Sequence, residues 1–112
     1  MTKKDDQRSA RTESLFRDLN ERIAETAERF DSEEGHFVCE CDDPLCTHRI
    51  ETSLEAYEEV REDGAQFLVA DAHVNDDIEL VVEQRRGFTI VEKVKPLVRR
   101  IVRELDPRTD AA

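Results

Sequence analysis

Residues 78–91, IELVVEQRRGFTIV, carry the most regular pattern in the chain. Ile78, Leu80 and Val82 alternate with Glu79 and Glu83, and Phe88, Ile90 and Val91 resume the apolar run after Arg85-Arg86-Gly87. Successive side chains of a strand point to opposite faces, so two such runs joined at a glycine predict a β-hairpin. Upstream, Asn75-Asp76-Asp77 has turn chemistry and QFLVADA (66–72) is strand-like. HFVCEC (36–41) reads as extended, with a turn at Asp42-Asp43-Pro44.

The flanking segments follow a helical period instead. Phe16, Leu19, Ile23, Ala27 and Phe30 recur at intervals of three and four, with Leu15 widening the stripe. This predicts an amphipathic helix from Ser9 or Thr12 to about Phe30, broken by Asp31 to Gly35 and packed through that stripe. Phe16, Ile23 and Phe30 also repeat every seven residues, the spacing of a homodimer seam, although a coiled coil needs more than two heptads. Thr52-x-x-Glu55 matches a capping box, with a short helix through Leu54, Tyr57 and Val60 and a stop at Gly64. Pro96 suits the first position of a last helix. Leu97, Ile101 and Leu105 form its expected buried stripe, with Val98 and Val102 beside them, and Pro107 ends it. The fold class is therefore α+β: a small, mostly antiparallel sheet with a long N-terminal helix, a short middle helix and a C-terminal helix. The 112 residues fit one domain, with 1–8 expected to be disordered, 9–30 helical and 36–106 forming the core.

Composition narrows the function. With a formal net charge of −11, the chain repels nucleic acid and anionic membranes at long range. Lys95, Arg99 and Arg103, with Arg100 nearby and Arg85-Arg86 in the hairpin turn, are the one basic foothold for nucleic acid. Cations near a helix C-terminus explain them more simply. The start, MTKKDDQRSA, has no apolar stretch behind it, and runs such as FLVA fall far short of a membrane span, so the expected location is cytoplasmic. The chain has three glycines, too few for a phosphate-binding loop, and Ser14 and Ser53 sit at helix starts. No nucleophile–base pair stands out, so an enzyme is not expected. The thin aromatic content, five Phe and one Tyr with no Trp, leaves a weak core that a bound metal would reinforce.

CECDDPLCTH (39–48) holds every cysteine of the chain, in the motif Cys-x-Cys-x4-Cys. Such polar, turn-forming surroundings disfavour inert core thiols. Thiolates in a reducing compartment bind metal or do redox work, and Zn2+ takes four thiolate or imidazole donors. Cys39 and Cys41 share one strand face, and the turn can fold Cys46 back to it. Spacing leaves the fourth donor open: His48 would close a compact local site, His36 could approach if the chain curls, and His73 would tie the loop to the sheet. Glu40, Asp42 and Asp43 could accept hydrogen bonds around the site, but acidic turn residues are the usual explanation. Oxidant-driven zinc release, making the protein a redox sensor, is the alternative to a structural staple.

SLFRDLNERI, FVCECDDPLCTHRIETSLEAYEEVR, FLVADAH and VVEQRRGFTIVEK, spanning most of residues 13–93, resemble an uncharacterised family of small acidic bacterial proteins. The chain departs from that family's pattern at Ala72, where glycine is common, and at Arg86, where an aspartate often begins the turn. The resemblance implies a Cys3His site of Cys39, Cys41, Cys46 and His73, with His48 incidental. It implies no activity. The expected function is a zinc-stabilised protein-interaction or regulatory module with a protein partner.

Overall fold

The computed structural model describes residues 3–108. In chain order these form α1 (Lys3–Arg29), β1 (Glu34–Val38), β2 (Arg49–Ser53), α2 (Leu54–Val60), β3 (Gln66–Val69), β4 (Glu79–Arg85), β5 (Phe88–Lys93) and α3 (Pro96–Glu104). The hairpin forms as the alternation predicts. β5 is the centre of an antiparallel sheet ordered β3-β5-β4, and β1 pairs antiparallel with β2. The fold class is α+β. β2, RIETS, is an unanticipated strand, because its sequence reads equally well as the lead-in to a helix. None of the described helices is long and apolar enough to cross a membrane.

α1 departs from expectation at its start and in the face it buries. The polar segment expected to be disordered is helical from Lys3; residues 1 and 2 lie outside the described residues. Asp5 and Asp6 complement the dipole of the first turn, Asp6 pairs with Lys95 at 2.8 Å, and Ser9 Oγ donates to Asp42 Oδ2 at 3.0 Å. At the other end Asp31 adopts a left-handed conformation, φ 54°, and the bonds Asp31 N→Glu28 O and Ser32 N→Ala27 O close a Schellman cap.

The expected apolar stripe is largely outside: Leu15 is 69% exposed and Phe30 75%, Leu19 is exposed, and Phe16 and Ile23 are only half-buried. The buried stripe is instead Asp6, Ala10, Glu13, Arg17, Asn20, Ala24 and Ala27, with Ser14 and Glu21 beside it. Partners across the interface explain the reversal. Arg17 donates to Gly64 O at 2.8 Å and Val102 O at 2.6 Å, while its guanidinium lies over the Phe67 ring. Glu13 accepts from Lys93 Nζ at 2.6 Å, and Glu21 accepts from Tyr57 Oη at 2.7 Å. A bonded buried polar group contributes about 1 kcal/mol net, whereas the same group left unpaired would be costly.

Two smaller corrections concern the other helices. α2 is capped one residue later than the Thr52 box suggests: Ser53 Oγ accepts from Ala56 N, and the helix ends at Val60, before Gly64. α3 does start with Pro96, but it buries Val98 and Val102, while Leu97 and Ile101 are half-buried and Leu105 is exposed. Arg17 reaches across to the Val102 carbonyl and so favours that rotation of the helix.

Candidate metal centre

β1 delivers the first cysteine. A Cβ on Gly35 would lie 2.8 Å from the Phe37 ring, so glycine lets that ring fold back and stack on Tyr57, centroids 4.5 Å apart. Asn20 of α1 then clamps the strand end. It accepts from Val38 N at 2.7 Å, donates to Val38 O at 2.8 Å and donates to Glu40 Oε2 at 2.8 Å. Cys39 N still bonds to His48 O, continuing the β1–β2 pairing, but at Glu40 the chain changes partner. Glu40 N donates to Leu68 O at 2.9 Å, and Glu40 Oε1 accepts Leu68 N at 3.1 Å. Burial pushes the Glu40 carboxyl up to about 7, against the Asn20 and Leu68 bonds and the nearby Arg17 and Arg61 charges.

The remaining donors arrive on turns. Leu45 N bonds Asp43 Oδ1 and Cys46 N bonds Asp43 O, folding Cys46 back toward Cys39 and Cys41. Asp42 fixes this loop by accepting from Ser9 and from Asn75 Nδ2 at 3.0 Å. After β3, a single 3-10 turn, Asp71–His73, is held to β5 by Thr89 Oγ1→Asp71 Oδ1 at 2.7 Å and presents His73.

Cys39, Cys41, Cys46 and His73 come together, with one donor atom from each lying within 4.8 Å of all the others. His73 Nδ1 is 3.4 Å from Cys39 Sγ and 3.5 Å from Cys46 Sγ. Tetrahedral zinc with its usual bond lengths spaces a sulfur and an imidazole nitrogen about 3.6 Å apart. The Cys39 sulfur also meets a backbone N–H, with Ala70 N 3.2 Å away. Such a donor stabilises thiolate and orients it. The Cys41 thiol is lowered to about 5, chiefly by the hydrogen bond with Cys39. Cys39 is pushed far up by the same bond and by burial, and burial also raises Cys46. Three sulfurs this close repel one another once ionised, and a divalent cation removes that conflict. The donor set fits a metal ion.

The other histidines stand apart. His48 is exposed, gives its carbonyl to Cys39 N, and meets His73 edge-on with ring centroids 5.7 Å apart. His36 is exposed on β1 and faces Glu51 at 3.9 Å. Sequence reasoning missed Asn20 as a support of the centre and ranked a supporting role for Glu40 below a turn residue. An acid between two cysteines looks like ordinary turn chemistry, and Asn20 sits off the apolar stripe. The basic flank of α3 is neutralised within the chain, by Lys95–Asp6 at 2.8 Å, Arg99–Glu92 at 3.3 Å and Arg103–Asp63 at 3.3 Å. Comparison of the chain with protein-family models, curated proteins and solved structures gave no match in any of the three.

Proposed function

We propose that this protein is a small zinc-stabilised interaction or regulatory module in which Cys39, Cys41, Cys46 and His73 hold one Zn2+ in a closed structural site. The observation that carries the reading is the gathering of four donor atoms within 4.8 Å of one another, with His73 Nδ1 3.4 and 3.5 Å from two of the three sulfurs. Soft thiolates select zinc over hard cations, and four protein donors leave no position open for a reacting water. The metal's task is then to bind the 39–46 loop to the turn after β3, closing a long stretch of chain and strengthening a small core. Metal analysis tests this. We expect one zinc per chain in the native protein and in His48→Ala, and severe loss in Cys46→Ser and His73→Ala. Zinc retained by His73→Ala but lost by His48→Ala would reassign the fourth ligand; native protein without metal would end the reading.

Regulation by oxidant is a second reading, favoured by one observation: Cys46 is partly exposed, whereas Cys39 and Cys41 are buried. Peroxide would oxidise the Cys46 thiolate to a sulfenic acid, leaving hydroxide. A neighbouring cysteine would then condense with it, losing water and forming a disulfide, so that the site has too few thiolates for zinc. Mild peroxide should release stoichiometric zinc to a colorimetric chelator. Zinc that stays bound at peroxide levels sparing other zinc modules rules out the sensor and leaves the staple intact. The interaction reading is supported by Leu15 and Leu19 on α1, Phe30 just after it, and Leu80, Val81 and Val82 on β4, all exposed.

A further inference from the structure

The two edges of the three-stranded sheet are treated differently. The β3 edge is sealed by the cysteine segment: Glu40 takes both the N–H and the carbonyl of Leu68, and Cys39 Sγ takes the Ala70 N–H. The β4 edge is open, since β4 pairs only with β5 and no other described segment bonds to Leu80 through Arg85 by backbone. Along it Leu80 is 62% exposed, and Val81 and Val82 are 49% each. An apolar strand with unpaired backbone groups is a template for another strand.

We propose that a second copy of this chain occupies that edge, its β4 antiparallel to the first about a two-fold axis, merging two three-stranded sheets into one. This rests on the interaction reading and names its partner. Charge supports a second copy over another chain. Asp76 and Asp77 precede β4 and Arg86 follows it; all three are exposed, and none has an ion pair within the chain among the described residues. Antiparallel pairing of identical strands brings the acidic end of each against the basic end of the other. A two-fold contact is self-complementary and closes on itself. Because Glu40 and Cys39 cover β3, the merged sheet has no free edge on which a third copy could add. Val82 is the extra residue of the bulge between Val81 and Glu83 and bends the strand there, so regular pairing across the new edge is interrupted at that point, and the contact is short and depends on protein concentration.

Sedimentation equilibrium of the full chain over a wide concentration range tests this, with zinc content measured on the same samples. The expected result is a monomer–dimer equilibrium that Leu80→Lys/Val82→Lys abolishes without lowering the melting temperature. Arg86→Asp should weaken the dimer about tenfold, and adding Asp76→Arg/Asp77→Arg should restore it. A monomer at every concentration would overturn the proposal, as would a dimer that survives Leu80→Lys/Val82→Lys or a charge swap that does not restore pairing. Loss of the dimer in Leu15→Lys/Leu19→Lys instead would place the contact on α1 and also overturn it. A dimer in zinc-free samples would count against the metal reading alone, and a zinc-loaded monomer against the dimer alone.

Discussion

Treatment with a strong chelator is expected to lower the melting temperature by more than about 15 °C. Structural zinc sites bind with on the order of 10 kcal/mol, while a domain of this kind has a total stability of about 5–15 kcal/mol. One kcal/mol moves the melting point of such a chain by several degrees. Loss of the ion leaves three clustered sulfurs without a counter-charge, two of them in the core. It also frees the loop and the 3-10 turn that the donors join. Cys39→Ser should be at least as damaging as chelation, because Cys39 is buried and also accepts the Ala70 N–H. Calorimetry with and without chelator decides the matter: a metal-free protein with the same melting curve as the untreated one sinks the structural role.

The second large effect is expected at Lys93. Its ammonium is fully buried between Glu13 and Glu79, themselves buried, and lies 4.9 Å from the centroid of the Phe67 ring. Burial works against the ammonium, yet the two carboxyls outweigh it and raise its pKa. Lys93→Met keeps the length of the side chain and removes the charge, so both carboxyls are stranded. Removing one partner from a buried ion pair costs about 3–5 kcal/mol, enough to lower the melting temperature by on the order of 10 °C.

Glu13 sets the pH dependence of this network. Burial pushes its carboxyl from the usual 4.5 up to about 8, the Glu79 charge adds to the rise, and Lys93 opposes it. The folded chain thus keeps a proton that the unfolded chain releases. This contribution to stability is complete below about pH 4.5, declines as pH rises and is gone above about pH 8. Denaturant titrations of Lys93→Met should therefore show a larger loss at pH 8 than at pH 5. Glu13→Gln, which mimics the protonated form, should flatten the decline across that window. Melting of Lys93→Met at the native temperature would show that the network contributes nothing.

The sheet was legible because strand alternation survives even at an edge: Ile78 to Val91 reads as a hairpin whether or not β4 is covered. The helices were legible in extent more than in orientation. Phe16, Leu19, Ile23 and Phe30 produce the periodicity of a buried face, but periodicity weighs apolar character alone. It gives no credit to Arg17 reaching two carbonyls or Asn20 clamping Val38, because those partners lie far away along the chain. In α3 the same measure could not choose between Leu97–Ile101–Leu105 and Val98–Val102, which lie one residue apart. At the site, the three cysteines were visible from their density. Spacing left His48 and His73 level, and the resemblance singled out His73. What separates them physically is the sharp turn after β3, set by Thr89 bonding to Asp71, which sequence spacing does not encode.

The polar inner face of α1 has a consequence for how the helix is seated. A greasy helix on a greasy sheet can rotate or slide by a few ångströms at small cost, since apolar contact has no direction. Glu13, Arg17, Asn20 and Glu21 instead meet four separate partners, on β5, α3, β1 and α2, whose bonds are satisfied at one angle and one axial position. α1 is therefore indexed to the rest of the molecule like a notched shaft. Any change in its angular setting must break several bonds together, so its outer leucines are presented at a fixed bearing relative to the cysteine loop.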